Sequence, residues 1–456
     1  MKFIDHRHSI SPPSGSVPPT TIPISFLDVF WLYANPVKRV FLYKLPSIST
    51  PHFLQNILPT LKHSLSLALK YFFPVAGSLV LQPNSRPYIR YDEGCSVALT
   101  VAESDDDFEY LVNRDGNKKM IHDASFSELV PTLSADEVLF GIQVTVFPNR
   151  GICIGIACKH VLGHGRSIMH FLRTWSSIFR NSNDDFVPPV LDRSLVPDPG
   201  GVLHDTLLKQ LTSIPPLSIE YLQQPKEATV MIKVRATFSI KRSEINKMRE
   251  WILSQVEDGE NLHLSSFVLT CSLIWNCHVK SQSATGSSNV IDDDQSSFFF
   301  PLDCCDRYEY HSIVPTTYFG NCLCLGGLIS AKRIELQGEN GLIVAVKAIG
   351  KTIKDLVANG PTKDADKWLS GALEIFENMH NMLTVAGSPR LGVYGLDFGW
   401  GKPEKVEVVS IEFPKAVSLA ELRDKVGGIE AALVLDQPQM EAFIGIFEES
   451  KAKYCR

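Results

Sequence analysis

The stretch 151-GICIGIACKHVLGHGRSIMHFLRTWSSIF-179 decides the fold, because its hydrophobic periodicity changes halfway along. Isoleucine or cysteine stands at every even position from 152 to 158, which is typical of one face of a β-strand. After the glycines, large apolar residues recur at helical spacing over 168–179. The stretch therefore predicts strand, tight turn and helix, with His160 at the end of the strand. This alternation indicates α/β architecture.

The chain has 456 residues, which is too long for one ordinary hydrophobic core and favours two domains of similar size. Prolines and glycines punctuate the segment 181–216, which is typical of a connection between domains. We therefore predict an N-terminal domain over 1–190, a crossover linker over 191–220 and a C-terminal domain over 221–456.

Composition excludes several classes of function. The hydrophobic fraction is 44%, the charged fraction is 21% and the formal net charge is −6, so nothing indicates binding to nucleic acid or to an anionic membrane surface. The N-terminal residues lack the apolar run of a signal peptide, and no later run reaches the roughly 18 apolar residues of a transmembrane helix. The ten cysteines form no CxxC pair, which is typical of reduced thiols. We expect a cytoplasmic monomer.

The pair His160 and His164 has the i, i+4 spacing of a zinc-binding helix. Such a motif needs a continuous helix and a glutamate beside the first histidine, whereas here the neighbour is Val161 and two glycines flank His164. Glycine costs a helix interior about 1 kcal/mol each. We therefore predict no metal at this pair. The alternatives are two ordinary polar residues in a turn, or one catalytic histidine.

Four motifs, taken together, favour one catalytic histidine over two ordinary polar residues. They are 71-YFFPVAGSL-79, 160-HVLGHG-165, 318-YFGNC-322 and 397-DFGWGKP-403. In order and spacing they resemble the BAHD family of plant acyl-CoA-dependent acyltransferases, and the branch that acylates anthocyanins and other flavonoid glucosides. The resemblance covers essentially the whole chain. It implies a fold of the chloramphenicol-acetyltransferase-like type, with two similar-sized α/β domains and an active-site channel between them.

The resemblance also implies roles for individual residues. His160 is expected to be the general base that removes a proton from an acceptor hydroxyl, a role worth roughly 10²–10⁴ in rate. The acyl-CoA thioester is already activated, so no metal or other cofactor is expected. The indole of Trp400 is a candidate donor to the oxyanion, with simple packing as the alternative. Asp397 and Gly399 are expected to be structural.

The chain departs from the family pattern where HxxxD has His164 instead of aspartate. In relatives this aspartate is understood to pair with an arginine shortly before YFGN. Counting back from Tyr318 by the family interval reaches Arg307, in the altered segment 303-DCCDRYEY-310. We expect reduced activity, and a non-catalytic relative is the alternative.

The resemblance places the CoA-binding groups at Ser265, Ser266, Ser388 and Arg390. Malonyl-CoA carries a terminal carboxylate, which calls for a fixed cation. Arg173 matches a position that is basic in malonyl-using relatives, and a solvated helix face is the alternative. The predicted function is acyl transfer, most readily of malonyl, from CoA to a sugar hydroxyl of a phenolic glucoside. A hydroxycinnamoyl donor is the alternative.

Overall fold

The computed structural model describes residues 1–82, 85–113, 120–135, 137–181, 186–213, 232–257, 261–286, 294–305, 307, 310–370, 382–411 and 415–455. Every structural statement below concerns these residues.

The strands are distributed over both halves of the chain. They are β1 (Lys2–Ile10), β2 (Thr20–Pro23), β3 (Val37–Lys44), β4 (Ser78–Val80), β5 (Tyr88–Tyr91), β6 (Val97–Glu103), β7 (Ile121–His122), β8 (Phe140–Phe147), β9 (Gly151–Cys158), β10 (Lys233–Ile240), β11 (Gln295–Asp303), β12 (Leu323–Lys332), β13 (Met382–Gly387), β14 (Lys405–Val408), β15 (Ala416–Glu421) and β16 (Ile429–Asp436).

Helices alternate with these strands. They are α1 (Phe26–Val29), α2 (Thr50–His52), α3 (Leu58–Tyr71), α4 (Phe108–Val112), α5 (Ala124–Ser127), α6 (Gly165–Phe179), α7 (Leu203–Ser213), α8 (Arg242–Gln255), α9 (Ser266–Ala284), α10 (Arg333–Gln337), α11 (Gly341–Asn359) and α12 (Gln437–Tyr454). A π-helical segment, Phe53–Ile57, joins α2 to α3.

Two mixed sheets organise the molecule. The first has the order β1-β6-β8-β9-β3-β14, and the second has the order β12-β11-β13-β15-β16-β10-β7. A small third sheet has the order β2-β5-β4. The α/β fold class in two domains is confirmed.

Strand β9 and helix α6 form where the change of periodicity predicts them. All eight residues of β9 are buried, and it pairs antiparallel with β8 on one side and β3 on the other. The strand ends at Cys158, so His160 begins a separate 3₁₀ turn, His160–Leu162, rather than ending the strand. The apolar face of helix α6 packs against α3, in the hydrophobic core that also contains residues of β9. Its N-terminus therefore lies immediately beyond this turn.

The two sheets exchange strands. Strand β14, from late in the chain, pairs with β3 in the first sheet, and β7, from early in the chain, pairs with β10 in the second. Arg235 on β10 fixes this crossing, because its guanidinium contacts Asp123 at 2.7 Å and Glu407 at 3.1 Å in a fully buried site. The halves of the sequence are thus interlocked in space.

The predicted linker is partly structured. Helix α7 buries Leu203, Leu207 and Leu211 in the same core as β8, β9 and α6. The segment 214–220 lies outside the described residues. The domain boundaries at 190 and 220 stay a prediction. Among the described residues, no helix is both long and apolar enough to cross a membrane.

Candidate active site

Side chains from distant parts of the chain hold the turn His160–Leu162 through its backbone carbonyls. The side-chain amide of Asn321 donates to the carbonyl of His160 at 2.8 Å. Arg193 donates to the carbonyls of Val161 at 3.3 Å and Leu162 at 2.7 Å. Three successive carbonyls therefore have partners, which fixes the direction of the His160 side chain.

A buried carboxylate holds both of these donors. Asp28 on α1 contacts Arg193 at 2.8 Å, and both side chains are at most 1% exposed. The other oxygen of Asp28 accepts from the backbone and the side-chain amide of Asn321, at 3.1 and 2.9 Å. A charge buried this deeply is tolerated only when it is paired and hydrogen-bonded. Asp28, Arg193 and Asn321 thus form one network beneath the catalytic turn.

The imidazole of His160 lines a large cavity and stacks on Trp31, with ring centroids 3.8 Å apart and 19° between the planes. Its Nδ1 is buried and has no hydrogen-bond partner among the described residues. Burial, and then the neighbouring His164, lower the pKa of His160 to about 4. The ring is therefore neutral near pH 7, which is the form required of a general base.

His164 is buried beneath this turn at the N-cap of α6. Its Nδ1–H donates to the carbonyl of Gly320 at 2.6 Å, and the Ser167 hydroxyl lies 3.2 Å from the same nitrogen. Its Nε2 lies 3.9 Å from the sulfur of Cys305 and 4.0 Å from a carboxylate oxygen of Asp303. Burial opposes protonation, yet Cys305, Asp303 and the Gly320 carbonyl together raise the pKa of His164.

Among the described contacts of His164, none is with Arg307, the residue that the family interval places opposite position 164. Cys305 and Asp303 lie near the His164 ring instead. Strand β11 ends at Asp303, and the chain then turns so that residue 305 faces His164. Asp303 is held on its other side by Arg166 at 2.5 Å. Arg307 lines the cavity, and among the described residues it has no ion-pair partner.

The thiol of Cys305 differs from the other buried thiols. A hydrogen bond from Cys322 and, against the opposing effect of burial, the contact with His164 lower the pKa of Cys305 to about 6. Burial alone raises the pKa of Cys158 and Cys271. The contacts of Cys305 thus favour its thiolate form more than the surroundings of Cys158 and Cys271 favour theirs.

The cavity has a volume of about 1670 Å³ and lies between the two sheets. Strands β9 and β3 line one wall and β13 and β15 line the other. Ligand pockets are typically about 300–1,000 Å³, so this cavity has room for two substrates at once. His160 and His164 both line this cavity.

All four residues expected to bind CoA line this cavity. Ser265 is the N-cap of α9, where its hydroxyl accepts from the Val268 amide at 3.3 Å, and Ser266 is the first helical residue. Ser388 accepts from the amide of Arg390 at 3.2 Å in the loop after β13. A helix N-terminus with its free amides, flanked by cations, suits phosphate.

The DFGWG loop lies off the cavity wall. Asp397 accepts from the amides of Gly399 and Gly401 at 2.7 and 2.9 Å, and both glycines have positive φ, 87° and 80°. Trp400 is packed among Tyr43, Phe179 and Phe398, with ring centroids 5.4–5.5 Å away, and is not among the cavity-lining residues. The indole is occupied in aromatic packing, so the structure does not place Trp400 as an oxyanion donor.

Arg173 is also absent from the cavity wall. Its guanidinium donates to the carbonyls of Leu391 and Gly392, the latter at 3.1 Å. Arg173 therefore supports the loop that carries Ser388 and Arg390, and this corrects its predicted role as a direct ligand of an acyl carboxylate.

Sequence reasoning missed Trp31, Asp28 and Arg193. The segment 25-SFLDVFW-31 carries only an S-x-x-D capping pattern, which is common, and Arg193 stands in a proline-rich connection that predicts exposure. Their roles arise from contacts between residues at least 31 positions apart, for which the sequence has no local signal.

Comparison with known proteins defines the class of protein. The fold is similar to that of F. sporotrichioides TRI101 in complex with coenzyme A and T-2, with a TM-score of 0.68 and 14% identity over 95% of this chain and 99% of that one.

Residues 4–450 match the model of the transferase family, and this chain belongs to that family, the BAHD acyltransferases. It is 33% identical to a coumaroyl-CoA:anthocyanidin 3-O-glucoside-6''-O-coumaroyltransferase of Arabidopsis thaliana, over 100% of this chain and 98% of the relative. It is 35% identical to a malonyl-coenzyme A:anthocyanin 3-O-glucoside-6''-O-malonyltransferase of Dahlia pinnata, over 98% and 97%. The protein is an acyltransferase.

Proposed function

We propose that this acyltransferase moves an acyl group from CoA to a sugar hydroxyl of an anthocyanin, flavonoid or other phenolic glucoside. The observation that carries the proposal is His160, neutral and fixed by its backbone, on the wall of a cavity large enough for both substrates. The names of the relatives above supply the classes of donor and acceptor.

In the proposed reaction, His160 takes the proton of the sugar hydroxyl as its oxygen attacks the thioester carbonyl. The new C–O bond forms, and the tetrahedral intermediate collapses with cleavage of the C–S bond. The CoA thiolate then receives the proton from His160, so the base is regenerated. The stack on Trp31 favours the transient imidazolium, because an indole face attracts a cation.

Coenzyme A is assigned to the side of the cavity that carries the α9 N-terminus. Ser265 and Ser266 lie there with His263 and Arg249, and Arg390 lines the same cavity from the loop after β13. These groups supply the positive potential that the chain's net charge of −6 does not provide. The TRI101 complex, which has the same fold, contains coenzyme A.

Malonyl-CoA is the donor we favour, and Arg307 is the cation we assign to its carboxylate. Arg307 follows Cys305, which contacts His164, and it lines the cavity without an ion pair among the described residues. Arg166 also lines the cavity, but Asp303 already pairs with it. A guanidinium can hold a carboxylate with two hydrogen bonds.

A hydroxycinnamoyl donor is the second candidate, because aromatic side chains also line the cavity. Phe30, Trp31, Phe267, Phe299 and Phe300 offer rings on which a phenolic acyl group could stack. The Arabidopsis relative named above is a coumaroyltransferase.

Competition between the donors tests the assignment. Purified protein is given equal concentrations of malonyl-CoA and coumaroyl-CoA with a panel of phenolic glucosides, and the products are distinguished by mass. We expect malonylated product in excess. Arg307→Ala is expected to raise KM for malonyl-CoA at least about tenfold and to leave that for coumaroyl-CoA unchanged, since a charge-assisted pair contributes roughly 1.5–3 kcal/mol. Excess coumaroylated product from the unmodified chain contradicts the malonyl assignment.

A further inference from the structure

Behind His160, three side chains of metal-binding type converge from two elements. The ligating atoms of His164, Asp303 and Cys305 all lie within 4.8 Å of one another. His164 comes from the N-cap of α6, and the other two come from the end of β11. His160 is not a member of this group, so it differs from the i, i+4 histidine pair that the sequence argues against.

We propose that Nε2 of His164, Oδ1 of Asp303 and Sγ of Cys305 bind a divalent cation of the zinc class. The remaining position faces the cavity, which His164 and Asp303 both line, and would be taken by water. Zinc commonly takes three protein ligands and one water from nitrogen, sulfur and oxygen donors.

The separations fit with a small contraction. Nε2 lies 3.9 Å from the Cys305 sulfur and 4.0 Å from Oδ1 of Asp303. Bonds of about 2.0–2.3 Å at tetrahedral angles place ligand atoms roughly 3.3–3.7 Å apart. The two separations from Nε2 therefore need to shorten by less than about 1 Å to close around an ion, and the sulfur and Oδ1 lie within 4.8 Å of each other.

The groups behind the ligands are already those of a metal site. The Nδ1–H of His164 donates to the Gly320 carbonyl at 2.6 Å, which leaves the Nε2 lone pair for a metal. Arg166 holds the second oxygen of Asp303 at 2.5 Å, and the Cys305 amide donates to Oδ1 at 3.1 Å. His164 and Asp303 are therefore oriented by contacts that a metal would not disturb.

Charge balance supports a divalent ion. One carboxylate and one thiolate supply two negative charges to a divalent ion, the imidazole adds none, and the charge of Arg166 lies at the other oxygen of Asp303. The ion would join the start of α6 to the end of β11, which is where the family pattern has an aspartate and an arginine.

Cobalt is the probe for this site, because a cobalt–thiolate bond gives a charge-transfer band in the near ultraviolet. The full chain is treated with chelator under reducing conditions and titrated with Co²⁺, and Zn²⁺ is then added to displace it. We expect a stoichiometric band in the unmodified protein and none in Cys305→Ser. His164→Asn keeps a donor for the Gly320 carbonyl but lacks Nε2, so its affinity is expected to fall at least about tenfold.

Cys324→Ser is the matched control, since Cys324 is a buried thiol that lies 3.1 Å from Cys304 and is not one of the three ligands. It is expected to keep the band. Absence of a band in the unmodified protein overturns the proposal. A band that survives in His164→Asn and disappears in Cys324→Ser also overturns it, because the metal would then be held by thiols alone. Circular dichroism checks each variant, and the two ligand variants give independent results if one fails to fold.

Discussion

Replacing His164 by aspartate, the residue expected there in the family, is predicted to destabilise this protein. His164 is buried, and its Nε2 lies 4.0 Å from Asp303. With an effective dielectric constant of about 20, the protonated form of His164, which its raised pKa favours, is attracted at that distance by about 4 kcal/mol. The shorter aspartate would stand roughly 6 Å from Asp303 and be repelled by about 3 kcal/mol. Relaxation reduces this difference, and we expect the free energy of unfolding to fall by about 3–5 kcal/mol.

Urea unfolding at neutral pH without added metal measures this loss. Cys305→Arg in the same chain supplies a cation opposite the new carboxylate, so the double variant His164→Asp/Cys305→Arg is expected to recover at least half of it. The single variant Cys305→Arg is the control, because it sets arginine against a histidine whose pKa is raised. If His164→Asp is as stable as the unmodified protein, the account of this pocket is refuted.

Three further predictions follow from buried groups. Asp28→Asn is expected to lower the free energy of unfolding by about 3–5 kcal/mol, measured in urea, because it leaves the Arg193 guanidinium buried without a counter-charge; a loss below about 1 kcal/mol contradicts this. Burial and nearby cations lower the pKa of His278 to about 3, so the unfolded chain gains a proton there below pH 6.5 that the folded chain does not. Between pH 7 and pH 5, His278→Gln is therefore expected to lose about 2 kcal/mol less stability than the unmodified chain, measured by thermal unfolding; equal losses in the two proteins would contradict this prediction. Since burial lowers the pKa of His160 to about 4, protonation of this residue should not lower kcat/KM between pH 7 and pH 5.5. A fall in kcat/KM with an apparent pKa near 6.5 would contradict the lowered pKa of His160.

Most of the fold was predictable, because it depends on local pattern. The alternating apolar residues of β9 and the helical spacing of α6 gave both elements with nearly their observed bounds. The exchange of β7 and β14 between the sheets was not predictable, since short strands carry little periodicity. The buried ion cluster of Arg235 that fixes this exchange joins residues more than a hundred positions apart.

Site residues were predictable where a sequence motif identifies them, but not where their role depends on contacts in the folded chain. His160, Ser265 and Ser388 reach the cavity as the resemblance implies. Trp400 and Arg173 do not, because neighbouring aromatic rings and backbone carbonyls already occupy their side chains.

The altered motif illustrates the same limit. The sequence shows that position 164 lacks its aspartate, but counting along the chain cannot tell which residue faces it. The turn at the end of β11 decides that, and it brings Cys305 and Asp303 to His164.

The most direct test of the central claim is the mass of the product formed with and without His160. Purified protein, His160→Ala and the exposed-site control His122→Ala are incubated with malonyl-CoA and phenolic glucosides, with chelator present. We expect a malonylated glucoside from the unmodified chain and from His122→Ala, and a rate at least about 10² lower from His160→Ala. Equal rates from all three proteins would contradict the assignment of His160 as the base of this acyltransferase.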